Sequence, residues 1–182
     1  MKANAWEQRK LNELGDFKNG MNFGKEAMDK GFPFVNLQDI FGKTVLDCSD
    51  DFGLAESTEK QRLDYNLLAG DILFIRSSVK PSGVGETALV PMNLINTTYS
   101  GFIIRMRFNV SFDNDFKRFA LTSKDIRNQI MARATSSANT NINQDSLALI
   151  RLSYPSIQEQ QKIGNFFAKL DHLITLHQRK SK

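Results

Sequence analysis

Residues 154–163 of the chain read YPSIQEQQKI, and they mark the start of the longest helix that the sequence predicts. Pro155 restricts the backbone ahead of a helix start. Ser156 and Glu159 have the spacing of a capping box, in which each side chain accepts a hydrogen bond from a backbone amide left free in the first turn. The stretch therefore predicts a helix that begins directly after Pro155.

Beyond this start, apolar residues recur three and four positions apart, as in the seam of a coiled coil. The stripe consists of Ile163, Phe166, Leu170 and Leu173, widened by Phe167 and Ile174. Such a stripe has to be covered, either by the chain's own domain or by a second chain. Fewer than three heptads remain before Lys182, too few for a stable isolated coiled coil. We expect an outside helix, because the seam keeps its register to the end of the chain and then turns basic.

Upstream of the helix, short apolar runs separated by turn residues predict strands. These runs lie at residues 34–37, 67–76, 88–90, 101–108 and 147–152. Helical spacing between Phe116 and Arg133 predicts two short helices, with Ser123 as the cap between them. The polar run at residues 134–143 predicts a loop. The fold class is therefore α+β, a mixed α/β domain with a protruding C-terminal helix able to form a coiled coil.

The totals agree with one domain and an appendage. A chain of 182 residues that is 41% hydrophobic can bury one core, and we divide it into residues 1–154 and 155–182. The opening Met1-Lys2-Ala3-Asn4 lacks the apolar core of a signal peptide, and a single cysteine, Cys48, fits a reducing compartment. We therefore expect a cytoplasmic protein. Cys48 itself is expected to be a small buried residue, because no histidine lies near it in sequence to activate a nucleophile.

The net charge of +4 is concentrated in the middle of the chain. Residues 65–143 carry nine basic and five acidic side chains, whereas the remaining residues balance fifteen against fifteen. Clustered Lys and Arg favour nucleic acid, because neutralising phosphates releases counterions. The alternative is a solvated basic surface with no ligand.

Catalytic motifs are not found. His172 and His177 are five residues apart, which is not the spacing of a metal pair on one helix face. The glycines of Gly83-Val84-Gly85-Glu86 precede a predicted strand rather than a helix, which indicates a turn. The acidic pairs Asp50-Asp51 and Asp113-x-Asp115 are interpreted as solvated or capping residues. We therefore expect no catalytic residue, no metal site and no cofactor on this chain.

Three segments resemble, in order, the specificity subunits of type I restriction–modification enzymes. Residues 6–14, WEQRKLNEL, are similar to the start of one of the family's two repeats. Residues 69–78, AGDILFIRSS, are similar to its central strand and the loop on the DNA side. Residues 154–163 with the later Leu170-Asp171-x-x-Ile174 resemble the junction that opens its conserved helix. One repeat is present where a complete subunit has two, so the chain is either a half-subunit that dimerises or a fragment.

The resemblance implies a non-catalytic target-recognition domain that binds double-stranded DNA. The terminal helix would pair with a second recognition domain or a second copy of the chain and would dock methyltransferase subunits. A separate restriction and motor subunit would cut the DNA. S-adenosylmethionine, ATP and Mg²⁺ would then be bound by partner subunits only.

On this basis we expect three cations near loops to contact phosphates or guanine: Arg76, Lys80 and Arg133. Short polar side chains would hydrogen-bond to bases, namely Ser77, Ser78, Asn139 and Asn141. Arg105 and Arg107, which share a strand face, are further candidates. The partner contacts would be Ile163, Phe166, Phe167, Leu170, Leu173 and Ile174. The alternative for the loop residues is that serine and asparagine cap turns, which they do more often than they contact bases. Two alternative functions also stay open: a protein-only adaptor and a DNA-modifying enzyme with an unrecognised site.

Overall fold

The structure is a computed structural model that describes residues 6–48, 51–136 and 138–180. Its strands, in chain order, are β1 (Glu7–Lys10), β2 (Gly15–Asn19), β3 (Met28–Val35), β4 (Gly53–Ala55), β5 (Ile72–Ile75), β6 (Ser77–Ser78), β7 (Thr87–Leu89), β8 (Thr98–Tyr99), β9 (Ile103–Phe108), β10 (Thr135–Ser136), β11 (Thr140–Asn141) and β12 (Arg151–Tyr154). Its helices are α1 (Leu37–Ile40), α2 (Glu59–Asp64), α3 (Asn114–Leu121), α4 (Lys124–Arg133), α5 (Gln144–Ala148) and α6 (Ile157–Lys180). Short 3-10 turns cover Leu11–Glu13, Lys25–Ala27 and Pro81–Gly83.

The centre of the fold is an antiparallel sheet in the order β2-β9-β5-β7. Every side chain of β5 is buried. Ile72 and Phe74 lie in one apolar cluster with residues of α3, α4 and α5, whereas Leu73 and Ile75 lie in a second cluster with Val35 and other residues of the N-terminal half. Successive side chains of a strand point to opposite faces. The sheet is therefore covered on both sides, as expected for an uninterrupted apolar run.

Several sequence predictions are confirmed by this arrangement. The runs at residues 67–76 and 101–108 contain β5 and β9, and the run at residues 88–90 overlaps β7. The two predicted short helices are α3 and α4, and the Ser123 side chain accepts a hydrogen bond from the amide of Ile126 at the start of α4. The mixed α/β fold with a long C-terminal helix is likewise confirmed.

Three predictions of local structure are wrong, two of them in the region before the terminal helix. Residues 147 and 148 were predicted to be strand but belong to α5, because Asn143 caps a helical turn by accepting from the amide of Ser146. The strand β12 begins only at Arg151 and pairs with β1. Residues 134–143, predicted to be a loop, contain the strands β10 and β11. The predicted strand at residues 34–37 ends at Val35, since Asn36 caps α1.

The terminal helix α6 begins at Ile157, as predicted from the Pro155-Ser156 junction. Gln160 is 2% exposed, accepts a hydrogen bond from the amide of Asp113 and donates one to the carbonyl of Pro155. Gly164 lies so close to α3 that a Cβ atom there would be 2.8 Å from the backbone nitrogen of Phe116. These contacts fasten the first turns of α6 to the domain.

Candidate nucleic-acid interface

A small sheet in the order β10-β11-β6 brings together segments that are 60 residues apart in the sequence. Its register places Asn141 opposite Thr135 on one side and Ser77 on the other. Residues directly opposite one another in adjacent strands point to the same face. Ser77, Asn141 and Thr135 therefore form a row of hydrogen-bonding side chains across the three strands, which we call the polar row.

The two faces of this small sheet differ in exposure. Ser78 and Thr140, which are paired with each other, are each 5% exposed and point into the protein. Ser77 and Asn141 are half-buried and Thr135 is exposed, so the polar row lies on the outer face. The expectation that Ser78 contacts DNA is therefore wrong. Its hydroxyl lies beneath the Pro81–Gly83 turn, so close that a Cβ atom added to Gly83 would be 2.6 Å from the Ser78 hydroxyl oxygen.

Arg76 lies at the edge of the central sheet, between β5 and β6. Its backbone amide donates to the carbonyl of Phe102, and its Nη1 donates to the carbonyl of Gly101 at 3.3 Å. Phe102 is 55% exposed beside it. One guanidinium nitrogen is thus held by the protein, while the half-buried side chain stays accessible from the surface.

Lys80 and Arg133 approach the polar row from its two outer strands. Lys80 is exposed in the loop after β6, and Arg127 anchors this loop by donating to the carbonyls of Ser82 and Val84. Arg133 is the last residue of α4, directly before β10, and its Nη1 donates to the carbonyl of Gln129 at 3.0 Å. Two of the predicted cations therefore flank the row.

Asn139 is exposed in the turn between β10 and β11. Its carbonyl accepts a hydrogen bond from the side chain of Asn141 at 2.8 Å, which holds the turn. The structure thus brings Ser77, Asn139 and Asn141 together with the three flanking cations. Residues 76–84 and 133–143 contain no acidic residue, so the surface around the polar row carries only positive formal charge along these segments.

Arg105 and Arg107 lie elsewhere and have structural roles. As predicted, they share a face of β9, but that face turns towards Asn66 at the opposite end of β5 from Arg76. Arg105 is 7% exposed and donates to the Asn66 carbonyl at 2.7 Å. The expectation that Arg105 contacts DNA is wrong, since its guanidinium is buried within the protein.

The guanidinium of Arg107 is engaged by a buried carboxylate. Its Nε and Nη2 donate to the two carboxylate oxygens of Asp71 at 2.8 and 2.7 Å, and Asp71 is 1% exposed. This pairing raises the pKa of Arg107 above its ordinary value, because the hydrogen bonds stabilise the charged form. Arg107 thus has a structural role at the turn that leads into β5, while its side chain stays partly exposed and its assignment as a DNA contact remains a prediction.

A second candidate surface lies on α6. Phe167 packs against Phe119 of α3 with ring centroids 5.2 Å apart, and Arg118 forms an ion pair with Asp171 at 3.2 Å. The apolar stripe is nevertheless exposed: Phe166 60%, Phe167 42%, Leu170 38%, Leu173 59% and Ile174 55%, with Ile163 half-buried. The stripe is therefore only partly covered by the chain's own domain.

An open apolar cleft of about 600 Å³ adjoins the anchored part of α6. Its lining includes Trp6, Phe116, Phe119, Leu152, Ile163 and Phe167. Sequence reasoning missed this cleft because its walls come from the two ends of the chain and from α3. The aromatic spacing of residues 112, 116 and 119 was the available signal.

Metal-binding groupings do not emerge in the described part of the chain. No three His, Cys, Asp or Glu side chains there lie close enough to hold a metal ion. Cys48 is half-buried, and burial raises the pKa of its thiol, which disfavours the reactive thiolate. Among the same residues, no helix has the length and apolarity needed to cross a membrane.

A family model and a curated relative match most of this chain. The family model described as the type I restriction modification DNA specificity domain matches residues 4–182. A curated relative, named "Putative type I restriction enzyme MjaX specificity subunit" from Methanocaldococcus jannaschii, is 26% identical over 180 residues, covering 93% of this chain and 40% of the relative. The chain therefore spans about two fifths of the length of that relative.

Solved structures agree at the level of the fold. The S subunit of a type I restriction-modification system from M. genitalium superposes with a TM-score of 0.63 and 19% identity, over 94% of this chain and 40% of that chain. The HsdS subunit from Thermoanaerobacter tengcongensis gives a TM-score of 0.68 and 16% identity, over 98% of this chain and 40% of that chain. At these identities the likeness establishes the fold.

Proposed function

The chain belongs to the type I restriction modification DNA specificity domain family, and from this membership we propose that it recognises a DNA sequence on behalf of a restriction–modification complex. The chain acts in the cytoplasm as the non-catalytic, sequence-reading part of that complex. Methylation and cleavage are performed by partner subunits, which bind S-adenosylmethionine, ATP and Mg²⁺.

The observation that carries this proposal is the polar row and its surroundings. Three hydrogen-bonding side chains on adjacent strands face outward between Arg76, Lys80 and Arg133, in segments without an acidic residue. Protein–DNA interfaces combine these two elements, because cations bind and orient the phosphate backbone while short polar side chains contact base edges. We assign phosphate contacts to the three cations and base contacts to Ser77, Asn139 and Asn141.

The exposed stripe of α6 supports a second part of the proposal. Phe166, Leu173 and Ile174 are each more than half exposed on the part of α6 that extends from the α3 contact. A helix from a second recognition domain, or from a second copy of this chain, covers this stripe, and methyltransferase subunits dock on the resulting helix pair. DNA recognition by the domain and subunit assembly by the helix are then separate surfaces of one chain.

Electrophoretic shift of random-sequence duplex DNA tests the proposal, with and without a cognate methyltransferase subunit, across a salt series. Three phosphate contacts give a logarithmic salt slope of about −2.7, which corresponds to about 40-fold weaker binding at 200 mM than at 50 mM salt. Binding that sharpens to one sequence when the methyltransferase is added is the expected result. Absence of binding under both conditions at low salt would instead favour a protein-only adaptor that uses α6.

A further inference from the structure

Val79 is an exposed aliphatic side chain at the edge of the polar row. It is 81% exposed and stands between Ser78 and Lys80. Ser78 is buried, whereas Val79 and Lys80, which follow it at the bend where β6 ends, are both exposed. Val79 belongs to neither of the two apolar clusters. It therefore lies at the surface two residues after Ser77, beside the polar row.

The residues around Val79 indicate the chemistry of a ligand that would contact its side chain. Lys80 is its neighbour, Arg76 precedes it by three residues, and the loop is held in place by Arg127, which donates to the carbonyls of Ser82 and Val84. A ligand that matches these neighbours carries negative charge, offers hydrogen-bonding groups to the polar row and presents an apolar group to Val79. The major groove of DNA has all three, and its apolar group is the C5-methyl of thymine.

We propose that Val79 is a specificity-determining residue that contacts the methyl group of a thymine in the recognised sequence. The inference rests on the proposed function and deepens it, because it assigns one base type to one side chain. The hydrogen-bonding members of the polar row discriminate donors from acceptors, whereas Val79 distinguishes thymine from every base that lacks a methyl group at this position in the groove.

The test couples a change in the protein to a change in the DNA. The chain, with a cognate methyltransferase subunit, first selects its preferred duplex from a random-sequence pool. Each thymine of that duplex is then replaced in turn by uracil, which keeps the hydrogen-bonding groups and removes the methyl. Affinities of the wild type and of Val79→Ala are measured on every duplex. The matched control is Ile95→Ala, because Ile95 is 84% exposed and lies near Asn96, which contacts Arg62 of α2 away from the polar row.

At one position we expect uracil to weaken wild-type binding about fourfold, the effect of losing roughly one buried methyl group. Val79→Ala should weaken binding to the thymine duplex by a similar factor and should no longer distinguish uracil from thymine there. Non-additive losses of this kind report direct contact. Ile95→Ala should bind like the wild type and keep the discrimination.

Three results would overturn the assignment of Val79: a selected sequence without thymine, wild-type affinity unaffected by uracil at every position, or full uracil discrimination retained by Val79→Ala. Failure to select any sequence is a different outcome, since it would remove the proposed function itself. Because the Val79 side chain is exposed, Val79→Ala should unfold at the same denaturant concentration as the wild type, which separates a contact effect from a folding effect.

Discussion

Removing the charge of Lys80 should change the salt dependence of DNA binding by a calculable amount. Lys80 is exposed beside the polar row, and its replacement by alanine leaves the loop anchored by Arg127. Each phosphate neutralised by a cation contributes about 0.9 to the logarithmic salt slope. With three contacting cations, Lys80→Ala should lower the slope from about 2.7 to about 1.8. The loss of affinity between 50 and 200 mM salt would then fall from about 40-fold to about 12-fold.

Fluorescence anisotropy with a labelled random-sequence duplex, titrated at four or more salt concentrations, measures this slope directly. Lys60→Ala is the matched control, because Lys60 is an exposed lysine on α2, paired with Asp64, outside the segments around the polar row. It should leave the slope unchanged. A slope that is unaltered in Lys80→Ala, or lowered equally in Lys60→Ala, would refute the assignment of the DNA-binding surface to the small sheet.

Three further predictions concern the structural residues and the helix. Arg107→Met leaves the Asp71 carboxylate buried without its ion-pair partner. It should lower the free energy of unfolding, measured by urea titration, by about 2–3 kcal/mol, a value reduced for the partial exposure of Arg107. A variant of unchanged stability with weakened DNA binding would instead indicate that Arg107 contacts DNA. Phe166→Asp combined with Leu170→Asp should leave the domain folded by circular dichroism and abolish association through the helix in analytical ultracentrifugation, whereas loss of the fold would show that the stripe is core. Burial lowers the pKa of Lys117 to about 8, so between pH 8 and 10.5 its amine is deprotonated in the folded chain and protonated in the unfolded chain. The free energy of unfolding, measured relative to Lys117→Met, should therefore rise across that interval by on the order of 3 kcal/mol. A difference that stays flat with pH would contradict this prediction.

The parts of the fold that the sequence predicts well are those with local causes. The β5 run is apolar throughout, Ser123 caps α4 within three residues, and the start of α6 is marked by adjacent residues. The errors at residues 134–152 arise from weaker local signals. Polar β10 and β11 become strands only because β6, more than 55 residues earlier, supplies a pairing edge. Asn143 starts a short helix where an apolar run alone indicated a strand.

The predictions for the candidate site also depend on whether their causes are local in the sequence. Composition and resemblance selected Arg76, Ser77 and Asn141, and non-local pairing brings their segments to one surface. The same reasoning could not separate accessible cations from engaged ones. Arg105 differs from Arg76 only in what surrounds it, since the Asn66 carbonyl and the apolar cluster beneath β9 occupy the space that a ligand would need. Burial of this kind is a property of the packed chain.

The close contact of Gly164 with α3 has a geometric consequence for the proposed pairing of α6 with a second helix. From Gly164 to Lys180, α6 is about 24 Å long, so the Lys180 end moves like the tip of a lever pivoted at this contact. A tilt of about 8° at the pivot displaces that end by roughly 3 Å, close to the rise of one base pair. Under the proposed function, in which α6 pairs with the helix of a second recognition domain, a bulkier residue at position 164 would therefore change the DNA spacing between the two domains before it changed the bases that either domain contacts.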